Sequence, residues 1–202
     1  MTWRTILPAA LVIAAGIAQA QSSGVPHGFV SRDQMTATDV EGRPVSLIKG
    51  AQTHAVVLFF IASDCPISNR TLPEMKRVQS VFSSQGVQFW FVYPNSTETA
   101  KSIHEHLSAY GVGEPALTDL REHLARATGA KWTPESAVLV PENGGLRTVY
   151  LGRIDDRYLG IGRERPQATQ HDLEDAAAAV LAGRKPKPPG GPSVGCGIVG
   201  AP

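Results

Sequence analysis

The chain has 202 residues, 42% hydrophobic and 18% charged, with 19 Lys and Arg against 18 Asp and Glu for a formal net charge of +1. This length and apolar fraction suit one compact domain with a real core, plus tails. The near-neutral balance, with no run of basic residues, argues against nucleic acid or an anionic membrane surface as the main partner.

Taken in chain order, the first segment reads as an address rather than as structure. Arg4 is followed by the apolar stretch Ile6–Ile17, too short for a comfortable membrane span, and then by the small-x-small pattern Ala18-Gln19-Ala20. Met1–Ala20 is therefore expected to be a secretory signal peptide cleaved after Ala20, with the mature protein periplasmic or secreted; an uncleaved anchor is the alternative. No later segment is apolar and long enough to span a bilayer.

Gln21–Ser31 is polar and reads as irregular. Met35–Leu47 reads as a hairpin, with Val40 and Val45 flanking the turn Glu41-Gly42-Arg43-Pro44. Ala55–Ile61 is a continuous apolar run, as expected of a central strand buried on both faces. A helix is expected to start at Cys65-Pro66, because proline is tolerated in a first turn. Leu72, Met75, Val78, Val81 and Phe82 give that helix an apolar face, Pro73 implies a kink, and Gly86 ends the segment.

Val87–Tyr93 reads as a strand. Thr97–Tyr110 reads as an amphipathic helix capped by Asn95 or Ser96 and stopped by Gly111. Leu117–Ala127 is expected to hold a short helix beginning after Thr118 or Asp119. Ser136–Val140 and Arg147–Leu151 read as strands joined by the turn Glu142-Asn143-Gly144-Gly145. Gln167–Leu181 reads as the last helix, ended by Gly183. Residues 184–202 form a Pro/Gly-rich tail with little capacity for regular structure, leaving residues 21–183 as the domain. Strands alternating with helices, followed by a hairpin, imply an α/β domain with a mixed sheet and helices on both faces.

Two cysteines, Cys65 and Cys196, are the chemically distinctive residues. Cys65 falls at the end of a buried strand and the start of a helix. Unpaired N–H groups and the helix dipole favour an anion there, and the thiolate is the nucleophilic form of cysteine. In an oxidising compartment an even cysteine count also suggests a disulfide.

The segment Phe59-Phe60-Ile61-Ala62-Ser63-Asp64-Cys65-Pro66-Ile67-Ser68 resembles the strand and active-site turn of the thioredoxin-like superfamily. The resemblance is closest to the redoxin (AhpC/TSA, TlpA-like) branch. Pro73 is similar to that family's helix-kinking proline, and Thr133-Pro134 to its cis-proline loop. The hairpin Met35–Leu47 resembles the N-terminal extension of the redoxin branch. The resemblance covers roughly residues 30 to 183. It implies a thioredoxin-like fold with a central mixed sheet, an N-terminal β-hairpin and an irregular C-terminal tail. It also implies thiol-dependent oxidoreduction with a thiol or disulfide protein as partner and no organic cofactor.

Two departures from the family pattern narrow the chemistry. Ser68 stands where Cys-x-x-Cys has its second cysteine, so a local dithiol cycle is impossible; Ser68 is left to donate a hydrogen bond to Cys65 or to serve as an ordinary helix residue. Leu58 and Ala62 replace the proline and threonine of the peroxiredoxin motif, which weighs against efficient peroxide reduction.

Cys196 is a candidate resolving thiol, because a flexible tail carries a cysteine to a distant site at modest loop-closure cost. A static disulfide, an intermolecular one or a free tail cysteine are its alternatives. Catalysis is thus expected from Cys65 and Cys196, with Thr133, Pro134, Ser68 and Trp132 shaping the substrate groove; packing is the other role open to Trp132. No metal site is expected. A copper metallochaperone using Cys65, Cys196 and a histidine, or a non-catalytic binding module, are the alternative functions. The charged segment Gly152–Arg157 is either a solvated turn or the source of an arginine near Cys65.

Overall fold

The computed structural model of the protein describes residues 28–199 except Glu114. The expected signal peptide, Met1–Ala20, lies outside the described residues. The strands and helices are β1 (Phe29–Val30), β2 (Thr36–Asp39), β3 (Pro44–Ser46), β4 (Ala55–Phe60), α1 (Pro66–Phe82), β5 (Val87–Tyr93), α2 (Ala100–Ala109), β6 (Ala116–Thr118), α3 (His123–Thr128), β7 (Trp132–Thr133), β8 (Glu135–Glu142), β9 (Gly145–Gly152), β10 (Tyr158–Gly160), β11 (Arg163–Glu164), α4 (Asp172–Leu181) and β12 (Cys196–Gly197).

Eight strands form one mixed sheet in the order β1-β9-β8-β4-β5-β6-β2-β3. β4, β5 and β6 run parallel, and β8 flanks β4 antiparallel. All six residues of β4 are fully buried, as expected of a strand covered on both faces. Alternate residues feed two cores. Val57 and Phe59 face the side of the sheet covered by Leu72, Met75 and Val78 of α1, Ile103 of α2 and Leu173 of α4. Val56, Leu58 and Phe60 face the side covered by Leu124 and Ala125 of α3, and there Ile198 of the tail joins the core.

The N-terminal hairpin pairs as the sequence implies, with Ala37 opposite Val45. Several boundaries differ for identifiable reasons. α2 starts three residues later than expected, because the Thr99 side chain accepts from the Ser102 N–H, and Ser102 in turn accepts from the Thr99 N–H. β6 precedes the short helix expected within Leu117–Ala127 and takes up that stretch's first two residues. The Asp119 carboxylate then takes the N–H groups of Leu124 and Ala125, setting α3 further on. α4 begins at Asp172 rather than Gln167, since Asp156 accepts from the backbone of Thr169 and Gln170 and holds that segment as a loop. β1, inside the stretch read as irregular, completes the sheet edge against β9. Pro73 sits within an α1 that runs continuously from Pro66 to Phe82.

The tail beyond α4 is largely without regular structure, as its composition implies, but it is tied down along its length. The Gly190 N–H donates to Asp172 at 2.6 Å, Ser193 Oγ donates to Glu135 at 2.7 Å, and the Ile198 N–H donates to the Lys131 carbonyl at 2.9 Å. Between those ties β12 pairs antiparallel with β7, Cys196 opposite Thr133.

Candidate active site

Cys65 is the residue before the first turn of α1, with extended backbone (φ −88°, ψ 110°) and a carbonyl that accepts the Asn69 N–H at 3.0 Å. β4 ends five residues earlier, so the parallel strand delivers the chain to the helix start beneath the loop that carries Thr133 and Pro134. The Thr133–Pro134 peptide is cis. The Thr133 carbonyl lies 3.0 Å from Cys65 Sγ and accepts from it when the thiol is protonated.

The tail supplies the remaining wall. Cys196 Sγ lies 2.6 Å from Cys65 Sγ, and Thr133 Oγ1 donates to the Cys196 carbonyl at 3.2 Å. Gly195 makes this approach possible. A Cβ there would sit 2.2 Å from the Thr133 carbonyl oxygen and 2.9 Å from the Pro134 nitrogen, so only glycine fits. Cys65 is 0% exposed whereas Cys196 is exposed.

The two sulfurs differ in their affinity for a proton. Burial pushes the Cys65 thiol up. The Cys196 thiol, the Ser68 N–H and hydroxyl, and the Cys196 backbone outweigh that effect, leaving Cys65 below the ordinary thiol value. Burial, the hydrogen bond to Cys65, the charge on Cys65 and the charge of Asp64 push Cys196 up to about 12. Of the reduced pair Cys65 is therefore the sulfur that ionises first, with Cys196 the thiol that donates to it.

Ser68 is fully buried and its Oγ makes no well-formed hydrogen bond, so its hydroxyl acts on Cys65 as a nearby dipole. Ser68→Ala is expected to move the midpoint of Cys65 alkylation, followed against pH on the reduced protein, to higher pH. An unchanged midpoint would leave Ser68 as a helix residue only.

A polar network missed in the sequence supports the turn from behind. Glu98, 7% exposed, accepts from the Ser63 N–H at 2.7 Å and from Ser63 Oγ at 2.9 Å. Asn69 donates to the Ser63 carbonyl and accepts from His106 Nε2, leaving His106 Nδ1 to accept from the Tyr93 hydroxyl at 2.7 Å. Burial holds the His106 imidazole below its ordinary value against the opposing pull of Glu98, so it is neutral. One signal was present in the sequence: His106 falls on the same face of α2 as Ile103 and Leu107, where an apolar residue belongs.

Of the other residues singled out, Trp132 is 42% exposed beside the site, its backbone N–H donating to the Glu135 carboxylate. Arg153 does not serve Cys65: its guanidinium bonds Asp172 at 2.8 Å and Gln170 at 2.5 Å. Arg157 pairs with Glu164. Leu58 and Ala62 are fully buried in the apolar core. Among the described residues no His, Asp or Glu ligand atom forms a cluster with the two sulfurs. The side chains that do converge, Glu74, His171 and Glu174, include two carboxylates already bridged by Arg77.

A cysteine at the helix N-terminus after a central parallel strand, faced by a cis-proline turn, defines a thioredoxin-like α/β protein. The chain matches the AhpC/TSA family over residues 32–156 and belongs to it. It is 25% identical over 119 residues to the thiol-disulfide oxidoreductase ResA of Halalkalibacterium halodurans, covering 59% of this chain and 65% of that protein, just under two thirds of its length. Among solved structures it is similar to a hypothetical protein of Sinorhizobium meliloti 1021 (TM-score 0.67, 28% identity, 81% of this chain and 88% of that one). An uncharacterized conserved protein of Geobacillus kaustophilus shares the fold (TM-score 0.66, 24% identity, 81% and 87% covered).

Proposed function

We propose that the protein is a thiol–disulfide oxidoreductase in which Cys65 is the nucleophilic sulfur and Cys196 resolves it as an intramolecular disulfide. The observation that carries this reading is the 2.6 Å approach of the two sulfurs, one of them lowered and the other raised in its proton affinity. Closing the disulfide removes two protons and two electrons from the pair, and a partner disulfide takes them to become two thiols. The cis-proline turn, with Thr133, Pro134 and Trp132, shapes the groove in which a thiol or disulfide protein is handled. The ResA relative is itself a thiol-disulfide oxidoreductase.

The N-terminal sequence supports export, with residues 21–183 as the mature redox domain and 184–202 as the tail that carries the second sulfur. An oxidising compartment suits a protein whose two cysteines work as one pair.

Mild oxidation of the full chain followed by non-reducing peptide mapping tests the pairing. A single cross-linked peptide pair containing Cys65 and Cys196 is the expected result. Two free thiols, or only intermolecular cross-links, would overturn it.

A further inference from the structure

The two sulfurs of the pair differ in access as well as in proton affinity. Around Cys65 Sγ stand the first turn of α1, the Thr133 carbonyl, the buried Ser68 and Cys196, and the residue has no exposed surface. Cys196 is exposed and borders a cavity of about 350 Å³ whose other walls include Pro66, Ile67, Arg70, Ile161 and Gly195. Cys65 is not among the residues that line it. The pairing of β12 with β7 keeps Cys196 over Cys65, so nothing reaches the buried sulfur while the tail is docked.

We infer that the external thiol of a partner protein bonds to Cys196 and not to Cys65, entering from this cavity. The inference rests on the Cys65–Cys196 disulfide proposed above and changes the order in which its sulfurs act: Cys196 meets the partner first, and Cys65 resolves the adduct. A partner thiolate attacks Cys196 Sγ, a sulfur–sulfur bond forms between them, and the Cys65–Cys196 bond breaks with Cys65 leaving as thiolate. A second partner thiol, losing its proton to solvent, then attacks the partner's sulfur in the mixed disulfide. The partner leaves as a disulfide, and Cys196 leaves as a thiolate that takes up a proton. Two electrons have passed from the partner to the pair. In the reverse direction Cys196, giving up its proton to solvent, attacks the partner disulfide and expels one partner thiolate; Cys65 as thiolate then attacks Cys196 in the mixed disulfide and expels the other.

Leaving-group chemistry agrees with the geometry. In the opening step the thiol of lower proton affinity leaves faster, and that is Cys65; attack on Cys65 would have to expel Cys196 at that step. The tail cysteine is thus the contact point with the partner, and the cysteine at the helix is the internal switch.

The test uses the oxidised full chain and glutathione as probe thiol. One equivalent is added, exchange is stopped with acid, and the mixed disulfide is located by non-reducing peptide mapping. Glutathione is expected on Cys196 in an excess of about tenfold or more over Cys65. Glutathione mainly on Cys65 would overturn the inference while leaving the disulfide intact. Absence of the Cys65–Cys196 disulfide from the starting material would instead overturn the parent reading. A second measurement guards against migration of the adduct. In reduced single-cysteine variants, Cys196 of Cys65→Ser should react with a bulky polymer-linked maleimide faster than Cys65 of Cys196→Ser, by about tenfold or more. Equal rates would show that the docked tail does not shield Cys65.

Discussion

Cys65→Ser is expected to reduce disulfide exchange with a dithiol substrate to the uncatalysed rate, a loss of about a thousandfold or more, as befits removal of the reacting group itself. The hydroxyl that replaces it is not ionised at neutral pH and cannot leave or attack as a thiolate does. The variant should still fold, because serine is only slightly smaller and its hydroxyl can donate to the Thr133 carbonyl as the Cys65 thiol does. The measurement is the rate of exchange between a dithiol and a disulfide substrate, compared with the same assay on Cys196→Ser. That second variant should form a one-sulfur mixed disulfide slowly and fail to resolve it. Residual turnover by Cys65→Ser at more than about a tenth of the native rate would remove Cys65 from the catalytic role.

The second large effect is expected from a residue with no reactive group. Gly195→Val places a branched side chain where even a Cβ would meet the Thr133 carbonyl at 2.2 Å. The three nearest atoms, Thr133 O and C and Pro134 N, all belong to the backbone of the cis-proline turn, so the tail is the element that must move. Cys196 is then displaced from Cys65, and the equilibrium constant for closing the disulfide against glutathione should fall about tenfold or more, equivalent to about 1.4 kcal/mol. The reduced domain should keep its thermal midpoint to within a few degrees, roughly the effect of a change below 1 kcal/mol, since the sheet and helices do not depend on Gly195. An unchanged disulfide equilibrium would show that the strand pairing of Cys196 with Thr133 does not position the sulfur.

What could be read from the sequence follows the range of each interaction. Ala55–Ile61 announces itself as a buried strand because burial on both faces leaves a continuous apolar run. Cys65-Pro66 announces a helix start because proline needs no donor there. These signals are local. β6 was lost because three residues, Ala116–Thr118, are too few to show a period, and their strand character comes from pairing with Phe91–Tyr93. The support behind the site was lost because its partners are distant: Glu98 meets Ser63 across 35 positions, and His106 meets Asn69 across 37. The tail was legible as a carrier of Cys196 but not as a docked segment. Proline and glycine leave no periodic pattern, and the docking uses backbone groups, the Ser193 hydroxyl, Gly195 and the apolar anchor Ile198.

The placement of the two sulfurs has a topological consequence. They are 131 positions apart, so closing the bond threads most of the domain into one covalent ring. β5, β6, β8, β9 and all four helices fall inside that ring, while the N-terminal hairpin and β4 hang outside it. A denatured chain so closed explores far fewer conformations, an advantage to the folded state of about 4–5 kcal/mol in the chain-entropy account. Under the proposed pairing, electron transfer to or from the two sulfurs would also set how far the protein can unravel: oxidation would close a noose around the sheet, and reduction would open it.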